Sequence, residues 1–118
     1  MRDLDRSAVQ RIIKHLKDLV VFIDGLDFNG FLADTKTVAA CAFTLGQVGE
    51  LAGKMEDSFQ IAHPEIPWKS LRGLRNRVVH DYENVDFAVL WAILTKNVPQ
   101  VLAQFEAMLS NTSEGHRH

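Results

Sequence analysis

The stretch Val9-Gln10-Arg11-Ile12-Ile13-Lys14-His15-Leu16-Lys17-Asp18-Leu19-Val20-Val21-Phe22-Ile23 decides the fold class. Its apolar residues Val9, Ile12, Ile13, Leu16, Leu19, Val20 and Ile23 step by three and four, the pattern of an amphipathic helix with one buried stripe. Asp3 or Asp5 is placed to cap its start, and Gly25 stands where helices commonly end. Leu26 to Ala33, with Asp27, Asn29 and Gly30, reads as a connection. Asp34 is then the expected N-cap of a second helix running through Val38, Ala42, Leu45, Val48, Leu51, Ala52 and Met55.

That second helix carries Ala39, Ala42, Gly46, Gly49 and Gly53 at spacings of three and four along roughly one side. A helical glycine costs about 1 kcal/mol relative to alanine, so the glycines ask for a reason. Tight packing inside a bundle supplies one, and a groove facing a ligand or a second subunit supplies another. His63-Pro64-Glu65-Ile66-Pro67 breaks the pattern, and Pro67 suits the first turn of a third helix expected to reach about Asp81. Asn84 or Asp86 is positioned to cap a fourth, in which Leu90, Trp91, Leu94, Val98, Val101, Leu102, Phe105 and Leu109 keep the helical period and Pro99 is expected to introduce a kink. Ser110 to His118 lacks the period and is expected to be a flexible tail; Gly115-His116-Arg117-His118 reads as solvated rather than as a metal site. With no period-two alternation and no internal repeat, the expected fold is all-α: an up-and-down bundle of four main helices in one domain, residues 1–110, with 111–118 as the tail.

Composition excludes several classes. At 118 residues the chain is one domain, and 47% hydrophobic with 24% charged residues is the balance of an ordinary globular protein. No apolar run, Leu19 to Ile23 and Phe87 to Leu94 included, approaches the roughly 20 residues that span a bilayer. The mixed charges of Met1-Arg2-Asp3-Leu4-Asp5-Arg6 are unlike a secretory signal, so no membrane association and a cytoplasmic location are expected. Cys41 is the lone cysteine, which removes internal disulfides and a structural zinc site, and no metal or other cofactor is called for. A formal net charge of −2 argues against coating nucleic acid by bulk electrostatics but leaves room for a local basic site.

Such a site stands between Pro67 and His80. Lys69, Arg72, Arg75 and Arg77 fall on this short segment without an acidic residue, and Asp81, Glu83 and Asp86 then reverse the charge. At about 100° per residue, Asn76 and His80 share a helical face, while Leu71, Leu74 and Val78 line a different, apolar one. Cutting RNA through its 2′-hydroxyl needs a group to take that proton, a group to protonate the leaving 5′-oxygen, and positive charge for the transition state. Histidine, with an ordinary pKa of about 6.5, serves as base or acid near neutrality. A guanidinium offers a permanently charged fork matched to phosphate oxygens. One His and one Arg per chain are too few for both proton transfers, and a dimer supplies two of each, so dimerisation is a mechanistic expectation. Residue types and spacing alone leave a second reading open, in which His80 complements the negative end of its helix and the arginine is a surface ion pair.

Arg75-Asn76-x-x-x-His80-x-Tyr82 resembles the Arg-x4-His-x-Tyr signature of HepT-like HEPN ribonuclease toxins. Gly49-Glu50-Leu51-Ala52 is similar to that family's Gly-Glu-Ala element, and His63-Pro64-Glu65-Ile66-Pro67-Trp68 to its Pro-Glu-Ile-Pro-Trp lead into the motif helix. Val85-Asp86 and Trp91 fall where the family has Val-Asp and Trp, so the resemblance covers about residues 5–110. Leu74, at a position often Met, and Leu51, in place of the Ala of Gly-Glu-Ala, are the departures. The resemblance implies a helical bundle that dimerises through its motif helices around one cleft. It further implies metal-independent endoribonuclease activity on cellular RNA, mRNA or tRNA, and a toxin-antitoxin pair with a minimal nucleotidyltransferase (MNT) antitoxin. Such an antitoxin transfers AMP from ATP onto the motif tyrosine, here Tyr82. Carried over, Arg75 and His80 are catalytic, Asn76 supports them and Tyr82 is the modification site; an adenylate there adds negative charge and bulk where substrate phosphate must bind. Lys69, Arg72 and Arg77 are the candidate RNA-binding cations. Glu50, a charge among small apolar neighbours, either pairs with an arginine of the motif helix or sits on a rim in water. Two functions stand at this point: the ribonuclease, and a non-enzymatic partner of a nucleotidyltransferase that presents Tyr82 or a nucleotide to it.

Overall fold

The three-and-four stepping of Val9, Ile12, Ile13, Leu16 and Leu19 becomes the buried stripe of α1 (Asp3–Phe22) in the computed structural model, which describes residues 2–74 and 86–115, with 112–115 as backbone only. Val20, assigned to the same stripe by its spacing, is instead 41% exposed. Asp3 and Asp5 do not cap this helix: Arg2 holds the cap position without a side-chain bond, and both carboxylates lie in the first turn, where they favour the positive end of the helix dipole. Gly25 does end the segment, at φ 79°, a left-handed backbone that side chains with a Cβ resist.

The connection expected over Leu26 to Ala33 contains a short helix, α2 (Phe28–Ala33). Its cause is local: the Asp27 carboxylate accepts the Gly30 N–H at 2.7 Å and closes the first turn. Asp34 caps α3 (Thr35–Gly53) as expected, accepting the Thr37 N–H at 3.1 Å and the Thr37 hydroxyl at 2.7 Å. Ten of the residues of α3 are buried, from Val38 to Ala52, over more than half of the helix circumference, while Lys36, Ala39, Phe43 and Lys54 keep the remaining side open to water. Such a helix must be central. It packs against α1 on one side and against α5 on another, while α1 also packs against α7. Gly46 and Gly49 are buried in this arrangement, but Ala39 and Gly53 are exposed, so the row of small residues is interior only in its middle. Cys41 is fully buried, and burial, aided by the Asp34 charge, pushes its thiol up to about 11.

A second short helix, α4 (Asp57–Ala62), precedes the break at His63 to Pro67 and buries Phe59. The third main helix starts as α5 (Trp68–Leu74), with the Pro67 carbonyl accepting the Leu71 N–H at 3.0 Å. Its continuation toward Asp81 lies outside the described residues. Asp86, not Asn84, is the observed cap of α6 (Phe87–Ala92), accepting from the N–H groups of Ala88 and Val89 at 2.9 and 3.3 Å. The chain then widens into a π-helical stretch, Ile93–Asn97, before α7 (Val98–Gly115). Pro99 lies in the first turn of that renewed α-helix. A proline removes one N–H and crowds the carbonyl four residues back, here Thr95 inside the widened stretch, so the irregularity expected at the proline is placed ahead of it. The helix continues past Ser110 to Gly115.

The architecture is the expected all-α bundle, with α1, α3 and the α6-to-α7 run as the long members among the described residues, α5 packed on α3, and α2 bridging α3 and α6. Among the described residues no helix is long and apolar enough to cross a membrane. Phe105 on α7 is fully buried and meets Trp68 edge-on at 5.7 Å. Phe105→Ala is expected to cost about 3–5 kcal/mol, read as a lowered midpoint in denaturant unfolding. The two Thr37 hydrogen bonds hold the Asp34 carboxyl below the usual carboxylate range. Its contribution is therefore present at neutral pH and lost as pH falls through the folded-state titration. Asp34→Ala should lower the melting temperature at pH 7 and change it less in strong acid.

Candidate functional site

The basic motif helix is aimed by the segment that leads into it. Trp68, the first residue of α5, is buried, and its indole N–H donates to the His63 carbonyl at 2.9 Å, closing the loop His63 to Pro67 on itself. The ring meets Phe59 of α4 at 5.9 Å and Phe105 of α7 at 5.7 Å, both edge-on, a geometry that matches positive ring edges to negative faces. His63 lies against Phe59 at 4.6 Å, and its Nδ1 is 3.5 Å from a Glu65 oxygen. The Glu65 carbonyl accepts from Gln104 of α7 at 3.0 Å. The loop is thus fastened to α4 and α7, and α5 leaves it in a set direction. Trp68, Leu71 and Leu74 face the core, and Lys69, Ser70 and Arg72 are exposed.

Two of the expected RNA-binding cations, Lys69 and Arg72, therefore stand on the open side of α5. The Arg72 guanidinium donates to the Gln60 side-chain oxygen, and the Gln60 amide nitrogen donates to the Met55 carbonyl at 2.9 Å. A chain of two hydrogen bonds thus ties the arginine to the end of α3. Gly53 borders the stem of Arg72, but a Cβ there would lie 4.0 Å from Arg72 Cγ, an ordinary contact, so close approach is not what this glycine provides. Gly53, Asp57, Gln60, Ile61 and Arg72 surround an open groove of about 350 Å³. Gln60 escaped the sequence reading because it lies twelve residues before Arg72 on a helix whose apolar period is too short to register.

Glu50 on α3 is half-buried, and Lys54 one turn later approaches it at 3.6 Å. Arg75 and Arg77, two of the motif-helix arginines, lie outside the described residues, as do Asn76, His80 and Tyr82. What the structure brings together is the framework ahead of the motif: the fastened loop, the buried Trp68, and Lys69 and Arg72 on the exposed face. Trp68→Phe keeps an aromatic ring between Phe59 and Phe105 but removes one of the two donors to the His63 carbonyl, which retains the Ile66 N–H at 3.2 Å. It is expected to cost about 1 kcal/mol, measured by chemical denaturation beside the wild type.

The family Ribonuclease HepT-like matches residues 10–108. "Probable ribonuclease HepT" of Thermococcus cleftensis is 29% identical over 92% of this chain and 98% of its own length. Two proteins of Methanocaldococcus jannaschii, "Putative RNase MJ1380" and "Putative RNase MJ0127", are 30% and 27% identical, over 86% and 90% of this chain and 93% and 88% of theirs. No solved structure gives a significant match. With a helical bundle throughout the described residues and a family match over nearly its whole length, the chain belongs to the HepT-like ribonuclease family.

Proposed function

We propose that this protein is a metal-independent endoribonuclease, the toxin of a HEPN/MNT pair, cutting cellular RNA at a cleft formed by two copies of the motif helix. The observation that carries the reading is the family match over residues 10–108 together with the complete order Arg75-Asn76-x-x-x-His80-x-Tyr82 directly after α5. In this mechanism one His80 takes the proton of a 2′-hydroxyl, whose oxygen attacks the adjacent phosphorus. The bond to the 5′-oxygen breaks, and the second copy's imidazole returns a proton to that leaving group. Arg75 balances the charge that builds on the phosphoryl oxygens, the role a planar guanidinium fills best. Asn76, on the face of His80, orients it. The products are a 2′,3′-cyclic phosphate and a 5′-hydroxyl. The exposed cations Lys69 and Arg72 at the start of the helix, with Arg77, hold the flanking phosphates.

Silencing follows from the same electrostatics. The Tyr82 oxygen attacks the α-phosphorus of ATP on the nucleotidyltransferase, pyrophosphate leaves, and the adenylate puts a negative phosphodiester two residues from His80. Purified protein is expected to cut total RNA or tRNA in EDTA, and His80→Ala and Arg75→Ala each to lower the rate by about 10²-fold or more. Cleavage that survives both substitutions removes the assignment. Intact RNA at high protein concentration, with ATP-dependent modification of Tyr82 by a bound nucleotidyltransferase, transfers it to the partner-presenting role.

A further inference from the structure

We infer that Gln60 is a positioning residue for RNA: it fixes the Arg72 guanidinium at the groove between the end of α3, α4 and α5 so that the arginine receives a backbone phosphate of the single-stranded substrate. The inference rests on the ribonuclease reading and adds to it a residue that no motif contains. An exposed arginine is ordinarily mobile, and ordering its side chain on binding subtracts from affinity. Here that ordering is already done. Arg72 is held at its head by Gln60, which is itself anchored on the Met55 carbonyl, and its stem lies beside Gly53.

The choice of a neutral amide matters. A carboxylate in place of Gln60 would hold the guanidinium more strongly but cancel its charge, whereas the amide oxygen takes one N–H and leaves the full positive charge and the remaining donors of the fork for a phosphate. Among the described residues Arg72 forms no ion pair. The groove has room for a nucleotide at about 350 Å³, and Ile61 at its edge is 78% exposed, an apolar surface for a ribose or base face. Asp57 lines the same groove and opposes an anion, so the phosphate is confined to the Arg72 side.

The test is binding of a short fluorescein-labelled single-stranded RNA to the full chain carrying His80→Ala, followed by anisotropy across a salt series, with steady-state cleavage measured in the His80 background. Gln60→Leu is expected to weaken binding about threefold and to raise KM rather than lower kcat. Arg72→Ala should weaken it about tenfold and flatten the dependence of log K on log salt by about 0.7. Gln60→Glu and Gln60→Leu both give up the donor to the Met55 carbonyl, so a purely structural role would make them bind RNA equally, whereas the carboxylate, by cancelling the Arg72 charge, should weaken binding further than the leucine. Asp57→Asn should tighten binding. Binding and cleavage that Gln60→Glu and Asp57→Asn leave unaltered overturn the positioning role while the nuclease reading stands. Failure of the otherwise unaltered protein to bind or cut RNA overturns both.

Discussion

A helix that buries more than half of its circumference cannot exist without neighbours, and α3 imposes that condition on the whole chain. Val38, Leu45 and Val48 are withdrawn from water only because α1 and α5 lie along it, and α1 in turn closes its stripe against α3 and α7. Each fully buried aliphatic side chain contributes about 1.5–3 kcal/mol of transfer free energy, so covering α3 is the largest favourable term in view. The small residues in its middle, Gly46 and Gly49, are part of that interior, and a bulkier side chain at either would have to find room among packed neighbours. The same burial disarms Cys41, whose raised thiol stays protonated at neutral pH.

The second constraint is narrower and belongs to the site. A loop containing two prolines has few backbone donors, and beyond the Ile66 N–H on the His63 carbonyl its geometry is set by side chains. Trp68 does this by filling the space between Phe59 and Phe105 while returning one hydrogen bond to His63. One side chain thus joins α4, the loop and α7 at the point where the basic helix begins. For the proposed chemistry, whose reacting groups follow α5 in sequence, a fixed point of departure matters as much as the groups themselves, since misplacement by about 1 Å can cost about 10²-fold in rate.

Charge on this protein is segregated more than its overall balance suggests. The net charge is slightly negative, yet the open face of α5 carries Lys69 and Arg72, while Lys54 at the end of α3 is engaged with Glu50. Arg72 is distinguished from the other two by its neutral tether. A cation held by an amide is preorganised without being neutralised, a better arrangement for meeting an anion than either a free lysine or an arginine already paired with a carboxylate.

The fold class was legible in the sequence because burial periodicity repeats: Val9 through Leu19, Val38 through Ala52 and Leu90 through Phe105 each return to the same face over several turns, and Asp34 and Asp86 cap by local geometry alone. The order Arg75, Asn76, His80, Tyr82 is read from residue type and spacing alone, and those residues lie outside the described ones. The short helices α2 and α4 were not legible, because six residues complete too few turns to show a period. Nor did a pattern single out Gln60, or Trp68 as the meeting point of Phe59 and Phe105: those contacts join residues far apart in sequence, and only the packing of α4, α5 and α7 against one another brings them within reach. Local sequence determined which segments coil and which groups they carry; the tertiary structure decided which of those groups meet, because burial is a property of neighbours.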